Sequence, residues 1–187
     1  MDYLKQEIQN LSQGNVEQVA EILAQLKPIE LNKGGFLLRA GQVCKQYYFI
    51  ERGSVRLYYY KGDNDFTVWI GTAGQIFTDL ESYLSQTESR IYFEAIEKST
   101  VYVISKQNSD QLALKNNAYN TLLRKTVEIA FVNLSRNVIS FQSEEAAERY
   151  ERVEKEKNWL SRYPLRYISS FIGVTQSSLS RLRAKKK

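Results

Sequence analysis

The chain has no histidine, one cysteine and two prolines in 187 residues. Without imidazole there can be no histidine-held zinc or haem iron, and no triad using histidine as its base. Cys44 alone can neither close an internal disulfide nor hold an iron–sulfur cluster, so it reads as a free, partly buried thiol. No apolar run approaches the ~20 residues that span a bilayer. The first residues lack a signal-peptide pattern. These absences predict a cytoplasmic protein with no membrane partner, no metal, no catalytic residues and no enzymatic activity. No internal repeat or low-complexity tract interrupts the chain.

What is present is an ordinary globular composition, 43% hydrophobic and 25% charged, with a net charge of +5. That charge is unevenly placed. From Lys157 onward there are eight basic residues (Lys157, Arg162, Arg166, Arg181, Arg183, Lys185, Lys186 and Lys187) and no acid. Of the 26 basic residues, 18 remain to face 21 acids in the rest of the chain, a net of −3. A mildly acidic body with a strongly basic end points to a polyanion partner for that end. The run Lys185–Lys187 alone would be no more than a solvated terminus.

Residues 2–26 carry apolar positions at three- and four-residue steps (Leu4, Ile8, Leu11; Val16, Val19, Ile22, Leu23, Leu26), which predicts two short helices broken at Gly14 and stopped by Pro28. From Phe36 to about Ile104 the period shortens. Aromatic and β-branched segments at 36–38, 47–51, 55–60, 67–70, 91–96 and 100–104 alternate with glycine turns, the pattern of an antiparallel barrel or roll. Val55, Leu57 and Tyr59 alternate with Arg56, Tyr58 and Tyr60, as in a half-buried strand.

Ser105 is placed to cap a new helix, and a longer one follows to about Phe141. Leu123, Val127, Ala130, Leu134 and Phe141, with Asn137 between the last two, form an a/d seam. Such a seam either covers the chain's own barrel or pairs with a second copy; a long helix leaving a small barrel favours a parallel homodimer. A further helix is expected from Ser143, as N-cap, to Leu160.

Residues 165–183 read as helix, tight turn, helix. Ile168, Ile172, Val174, Leu179 and Leu182 supply the apolar positions, Ser169 a close crossing, and Gly173 the turn. Thr175 is a natural N-cap, so the second helix should start near Gln176. It offers Gln176, Ser177, Ser178, Ser180 and Arg181, with Lys185 beyond. Glutamine and arginine can pair bidentately with adenine and guanine, while serine and threonine at a helix N-terminus suit phosphate. The competing reading is a plain helical hairpin with a polar outer face. The coincidence with the acid-free basic segment favours double-stranded DNA.

Taken together, the chain resembles the Crp/Fnr transcriptional regulators. The resemblance rests on Arg39-Ala40-Gly41, Tyr47–Ile50, Arg52-Gly53-Ser54-Val55, Gly74-Gln75 and Ile91–Ile104, followed by the long helix and the helix-turn-helix at 168–183. The run Tyr163–Ile168 with Gly173-Val174-Thr175 is similar to members from Bacteroidetes-type bacteria. The implied fold is α+β: an N-terminal cyclic-nucleotide-binding-like β-roll (a double-stranded β-helix) with flanking helices over 1–115, a dimerisation helix over 116–142, and an all-α DNA-binding domain over 143–187. The implied function is a dimeric regulator that reads a palindromic site, with RNA polymerase as a partner. A signal in the roll would act by shifting the helix pair around Leu123–Phe141.

The family's phosphate-binding cassette maps onto Thr78-Asp79-Leu80 and Ser89-Arg90, with Asp79 in place of a glutamate and the arginine–serine order reversed. Neighbouring strand residues point to opposite faces, so the reversal turns Arg90 away unless a one-residue shift in the Leu84–Glu88 loop restores it, and this argues against cAMP. A small-molecule effector other than cAMP, or none, is the expectation. The family's iron–sulfur and haem branches need cysteines and histidine that this chain lacks. The family's β-hairpin wing has no counterpart after Arg183, where only Ala184 and three lysines follow. Two other classes stay open: a small-molecule receptor whose C-terminal domain docks a protein, and a cupin-like enzyme, which the lack of histidine disfavours.

Overall fold

A computed structural model describes residues 2–155 and 158–184. Two short helices open the chain, α1 (Asp2–Ser12) and α2 (Val16–Ala24). They bury Leu4, Ile8, Val19 and Ile22. Asn15 starts α2 with a full capping box: its side chain accepts from the Gln18 N–H, and the Gln18 side chain accepts from the Asn15 N–H. Pro28 does follow α2, but it lies inside a strand, β1 (Lys27–Leu31), which the sequence reading missed.

The strands continue as β2 (Phe36–Leu38), β3 (Gln46–Arg52), β4 (Ser54–Lys61), β5 (Asn64–Thr72) and β6 (Ile76–Phe77). After helix α3 (Leu80–Ser85) come β7 (Tyr92–Ala95) and β8 (Ser99–Ser105). They form two four-stranded sheets, ordered β1-β8-β3-β6 and β2-β7-β4-β5. The registered pairs β1–β8, β2–β7, β3–β6 and β3–β8 are antiparallel. Successive strands thus change sheet repeatedly, which is the roll expected from the spacing of glycine turns. Bulges interrupt the register between Ile50 and Arg52 and between Phe36 and Leu38.

The two sheets meet through rings. Tyr48 of β3 stacks on Phe77 of β6 at 5.2 Å, and both turn edges to Phe93 of β7, at 5.4 and 5.2 Å. Phe49, Ile50, Val55, Ala95, Val101 and Ile104 of the two sheets are fully buried. The β3–β4 turn depends on Gly53, whose φ is +91° and whose added Cβ would lie 2.6 Å from the Lys98 carbonyl oxygen. The half-buried pattern expected for 55–60 is not what forms. Val55, Arg56, Leu57 and Tyr58 are all buried, and only Tyr59 and Tyr60 are exposed, because β4 lies inside its sheet and is covered on both faces.

Ser105 caps α4 (Lys106–Lys115) by accepting from the Asn108 N–H at 3.2 Å, as expected. Asn116 then joins α4 to α5 (Asn117–Ser143). It is 1% exposed, donates to the Gln18 carbonyl and Glu21, and accepts from the Tyr119 N–H. Ser143 ends α5 and donates to the Ile139 carbonyl, so it does not cap the next helix. The single helix expected from Ser143 to Leu160 is two, α6 (Ala146–Lys155) and α7 (Trp159–Arg162). The chain ends with α8 (Leu165–Phe171) and α9 (Gln176–Ala184).

Two compact units result: Met1–Leu57 with Ile70–Ala130, and Tyr58–Trp69 with Phe131–Lys187. The outer half of the β4–β5 hairpin therefore belongs with the C-terminal helices, and α5 is shared between the units. The boundaries expected at 115 and 142 fall near the ends of α5, whereas the compact units divide within it.

Burial raises the phenol of Tyr47 from its ordinary value of 10.0 to about 12, and raises those of Tyr48 and Tyr119 as well. Above pH 10 the unfolded chain releases these protons while the folded one keeps them. Stability is then unaffected by these groups below pH 10 and falls progressively as pH rises above it, the Tyr47 contribution being lost through about 12. Alkaline titration followed by tyrosinate absorbance should show a class of tyrosines that ionise only as the circular-dichroism signal collapses.

Candidate nucleic-acid interface

Helices α8 and α9 are joined by Ile172–Thr175. Tyr167, Ile168, Ser169, Ile172 and Leu179 are buried, which sets the crossing of the pair. Gly173 sits at φ +72°, and an added Cβ would come 2.8 Å from Cε1 of Phe141. The turn thus demands both a left-handed backbone and no side chain. Arg149 of α6 donates to the Ile172 carbonyl at 2.8 Å and lies over the Phe141 ring at 5.2 Å. Neither Arg149 nor the Phe141 contact was foreseen from the sequence. Both lie too far along the chain from Gly173 for local periodicity to link them.

Thr175 caps α9: its Oγ1 accepts from the Ser178 N–H at 3.2 Å. From that start Gln176, Ser177, Ser180 and Arg181 are exposed on one side of the helix, opposite buried Leu179. Ser178 is half-buried, and its hydroxyl accepts from Arg181 at 3.3 Å. Thr175 is exposed beside them, and Lys185 lies outside the described residues. The arrangement leaves a row of hydrogen-bonding side chains, one guanidinium among them, with no carboxylate in residues 158–184.

The residues matched to a ligand cassette stand differently. Asp79 is buried and caps α3, its Oδ1 accepting from the Ser82 N–H at 3.3 Å. The Thr78 hydroxyl donates to the Gln46 carbonyl at 2.8 Å and lies 3.2 Å from the Cys44 sulfur. Leu80 is exposed. Ser89 is buried, and its hydroxyl both accepts from the Ile91 N–H and donates to the Ile91 carbonyl. The Arg90 side chain is 84% exposed and pairs with Glu81 at 3.3 Å. The five are neighbours in the fold, but the guanidinium is in water. Among the described residues, the arginine that the roll encloses is Arg56 on β4, at 1% exposure.

On α5, Val127, Ala130, Leu134 and Phe141 are exposed, while Leu123 and Asn137 are half-buried. Phe131 and Val138 are exposed too, at 67% and 47%. Phe131 and Val138 follow Ala130 and Asn137 by one residue, so 127, 131, 134, 138 and 141 make a second row at the same spacing, and Ile129, Val132 and Ile139 are exposed as well.

Residues 28–116 match the family model of the cyclic nucleotide-binding domain. Those residues are similar to that domain. No curated protein sequence matches the chain. Among solved structures, the c-di-GMP-responsive global regulator CLP of Xanthomonas campestris is 15% identical over 91% of each chain, with a TM-score of 0.73. FixK2 of Bradyrhizobium japonicum is 16% identical over 86% of this chain and 83% of its own, at 0.72. A Crp/Fnr-family transcriptional regulator from Eubacterium rectale is 12% identical over 91% and 82%, at 0.69. The roll and the helices that follow it thus share the fold of Crp/Fnr regulators. Among the described residues no group of histidine, cysteine, aspartate and glutamate is placed to hold a metal, and no helix is long and apolar enough to cross a membrane.

Gly173→Ala should destabilise the C-terminal unit by roughly 1–3 kcal/mol, the cost of forcing a side chain into the left-handed region. Trp69 and Trp159 both belong to that unit. Urea unfolding followed by tryptophan fluorescence would read the loss.

Proposed function

We propose that this protein is a dimeric, sequence-specific DNA-binding transcriptional regulator, with α9 as the recognition helix and the roll as a sensor. The observation that carries the reading is the capped, outward-facing row Gln176, Ser177, Ser180 and Arg181 in a segment free of acids. It is supported by the fold shared with regulators that include CLP and FixK2. The apolar row of α5 supplies the dimer contact, and two recognition helices related by a twofold axis would meet successive major grooves of a palindrome.

The effector is proposed to be something other than cAMP held through Arg90. A buried cyclic phosphate needs a desolvated guanidinium fork. Arg90 is hydrated and paired with Glu81, while Asp79 and Ser89 already satisfy local backbone groups.

Selection of bound duplexes from a random library by the full-length protein should return a two-half-site palindrome. Arg181→Ala should then cost about 1–3 kcal/mol on that site and relax it at one position if Arg181 reads a guanine. An equal loss on random DNA would make Arg181 a phosphate contact. No retention of DNA at low salt would favour a receptor whose C-terminal domain docks a protein.

Phe131→Glu should convert the dimer to monomer in sedimentation, because it places a carboxylate within the apolar row. A dimer of unchanged affinity would remove α5 from the interface.

A further inference from the structure

The outer edge of β5 is closed by a helix side chain. β5 is the last strand of its sheet, so part of its backbone has no strand partner. The Ser170 hydroxyl of α8 accepts from the Thr67 N–H at 2.8 Å and donates to the Asp65 carbonyl at 3.0 Å. One oxygen thus serves both a donor and an acceptor on the exposed edge, the two functions that a neighbouring strand would otherwise supply. Serine is the smallest residue that offers both on one atom. Thr67 is 8% exposed, so its N–H has little access to water if Ser170 leaves.

The hairpin is built to transmit this contact. Tyr59 stacks on Phe66 at 5.5 Å across its two strands, and Tyr58 meets Tyr60 edge-on at 5.5 Å. Its tip carries Lys61, Asp63 and Asp65, two acids against one base, which is the wrong charge for gripping phosphates. Its role is therefore toward the protein. β4 and β5 continue from the hairpin into the roll without a break, since β4 spans Ser54–Lys61 and β5 spans Asn64–Thr72.

We propose that Ser170 is a latch that fastens the helix-turn-helix to the edge of β5, so that the β4–β5 hairpin and α8 move as one body. Strands β4 and β5 then form a second mechanical route to the recognition helix, besides α5. This inference concerns the protein alone and stands whether or not α9 reads DNA.

Amide hydrogen exchange on the full-length protein tests it. Ser170→Ala should raise exchange at Thr67 roughly five- to tenfold, as expected for one lost neutral hydrogen bond. The amides of Ile168 and Ile172 at α8 should lose protection with it, while Val101 and Ile104 in the roll stay as they were. Ser170→Thr keeps the hydroxyl and should exchange as the parent does. An unchanged Thr67 rate in Ser170→Ala would overturn the latch. So would a faster Thr67 with α8 protection intact, because the contact would then be local. If DNA is bound, Ser170→Ala should also change affinity for the selected duplex; that arm fails separately from the exchange arm.

Discussion

The contact of Tyr48, Phe77 and Phe93 is the constraint on which the roll depends. Apart from the β4–β5 hairpin, strands that are neighbours in sequence lie in different sheets, and backbone hydrogen bonds act only within a sheet. The two sheets must therefore be held by side chains. Three rings with centroids 5.2–5.4 Å apart do this at β3, β6 and β7. Each ring adds a large apolar area to the same spot, and edge-to-face geometry adds about 0.5–1.5 kcal/mol per pair beyond burial. The short β6, only Ile76 and Phe77, exists for this purpose: it has little ladder of its own, but Phe77 fills the seam.

Much of this was legible in the residues. Six of eight strands stand where aromatic and β-branched segments lie between turn glycines, and the caps at Ser105 and Thr175 act as read. The elements that escaped are those whose stabilisation is not local. β1 carries Pro28 and an ambiguous period, and only pairing with β8 makes it a strand. Helix α3 has six residues, too few for a periodic signal, and it hides in the stretch read as a ligand cassette. On α5 an a/d pattern through Ala130 and Asn137 and one through Phe131 and Val138 have the same alternation of three- and four-residue steps. The second carries the larger apolar side chains, Phe131 and Val138, both exposed.

The cassette shows why residue types alone do not define a binding site. Asp79, Thr78 and Ser89 are suited in chemistry to a ribose or a phosphate, yet each already serves a buried or part-buried backbone group within a few residues or across a strand. Recruiting Asp79 or Ser89 to a ligand would leave a backbone N–H unsatisfied, at roughly 1–3 kcal/mol each. Sequence order told part of this through the reversed Ser89-Arg90 pair, but the local hydrogen bonds could not be read from it. The same competition separates Arg90 from Arg56. The first is an exposed partner of Glu81, and the second is enclosed by the sheet that bears it.

Energetics set how a dimer of this kind would behave. Val127, Phe131, Leu134, Val138 and Phe141 are each 40–67% exposed in one chain. Fully burying such side chains contributes roughly 1.5–3 kcal/mol apiece, so covering the exposed half returns about 1 kcal/mol each. Five from each of two copies would supply on the order of 10 kcal/mol, within the estimated 4–15 kcal/mol cost of association. The row alone therefore leaves pairing near balance. Small changes at its ends would then shift the population of dimer, and Phe141 is such an end. Its ring belongs to the row and also closes on Gly173 at the recognition turn. A displacement of that ring alters the dimer contact and the turn together, so in the proposed regulator pairing and the setting of α9 cannot vary independently.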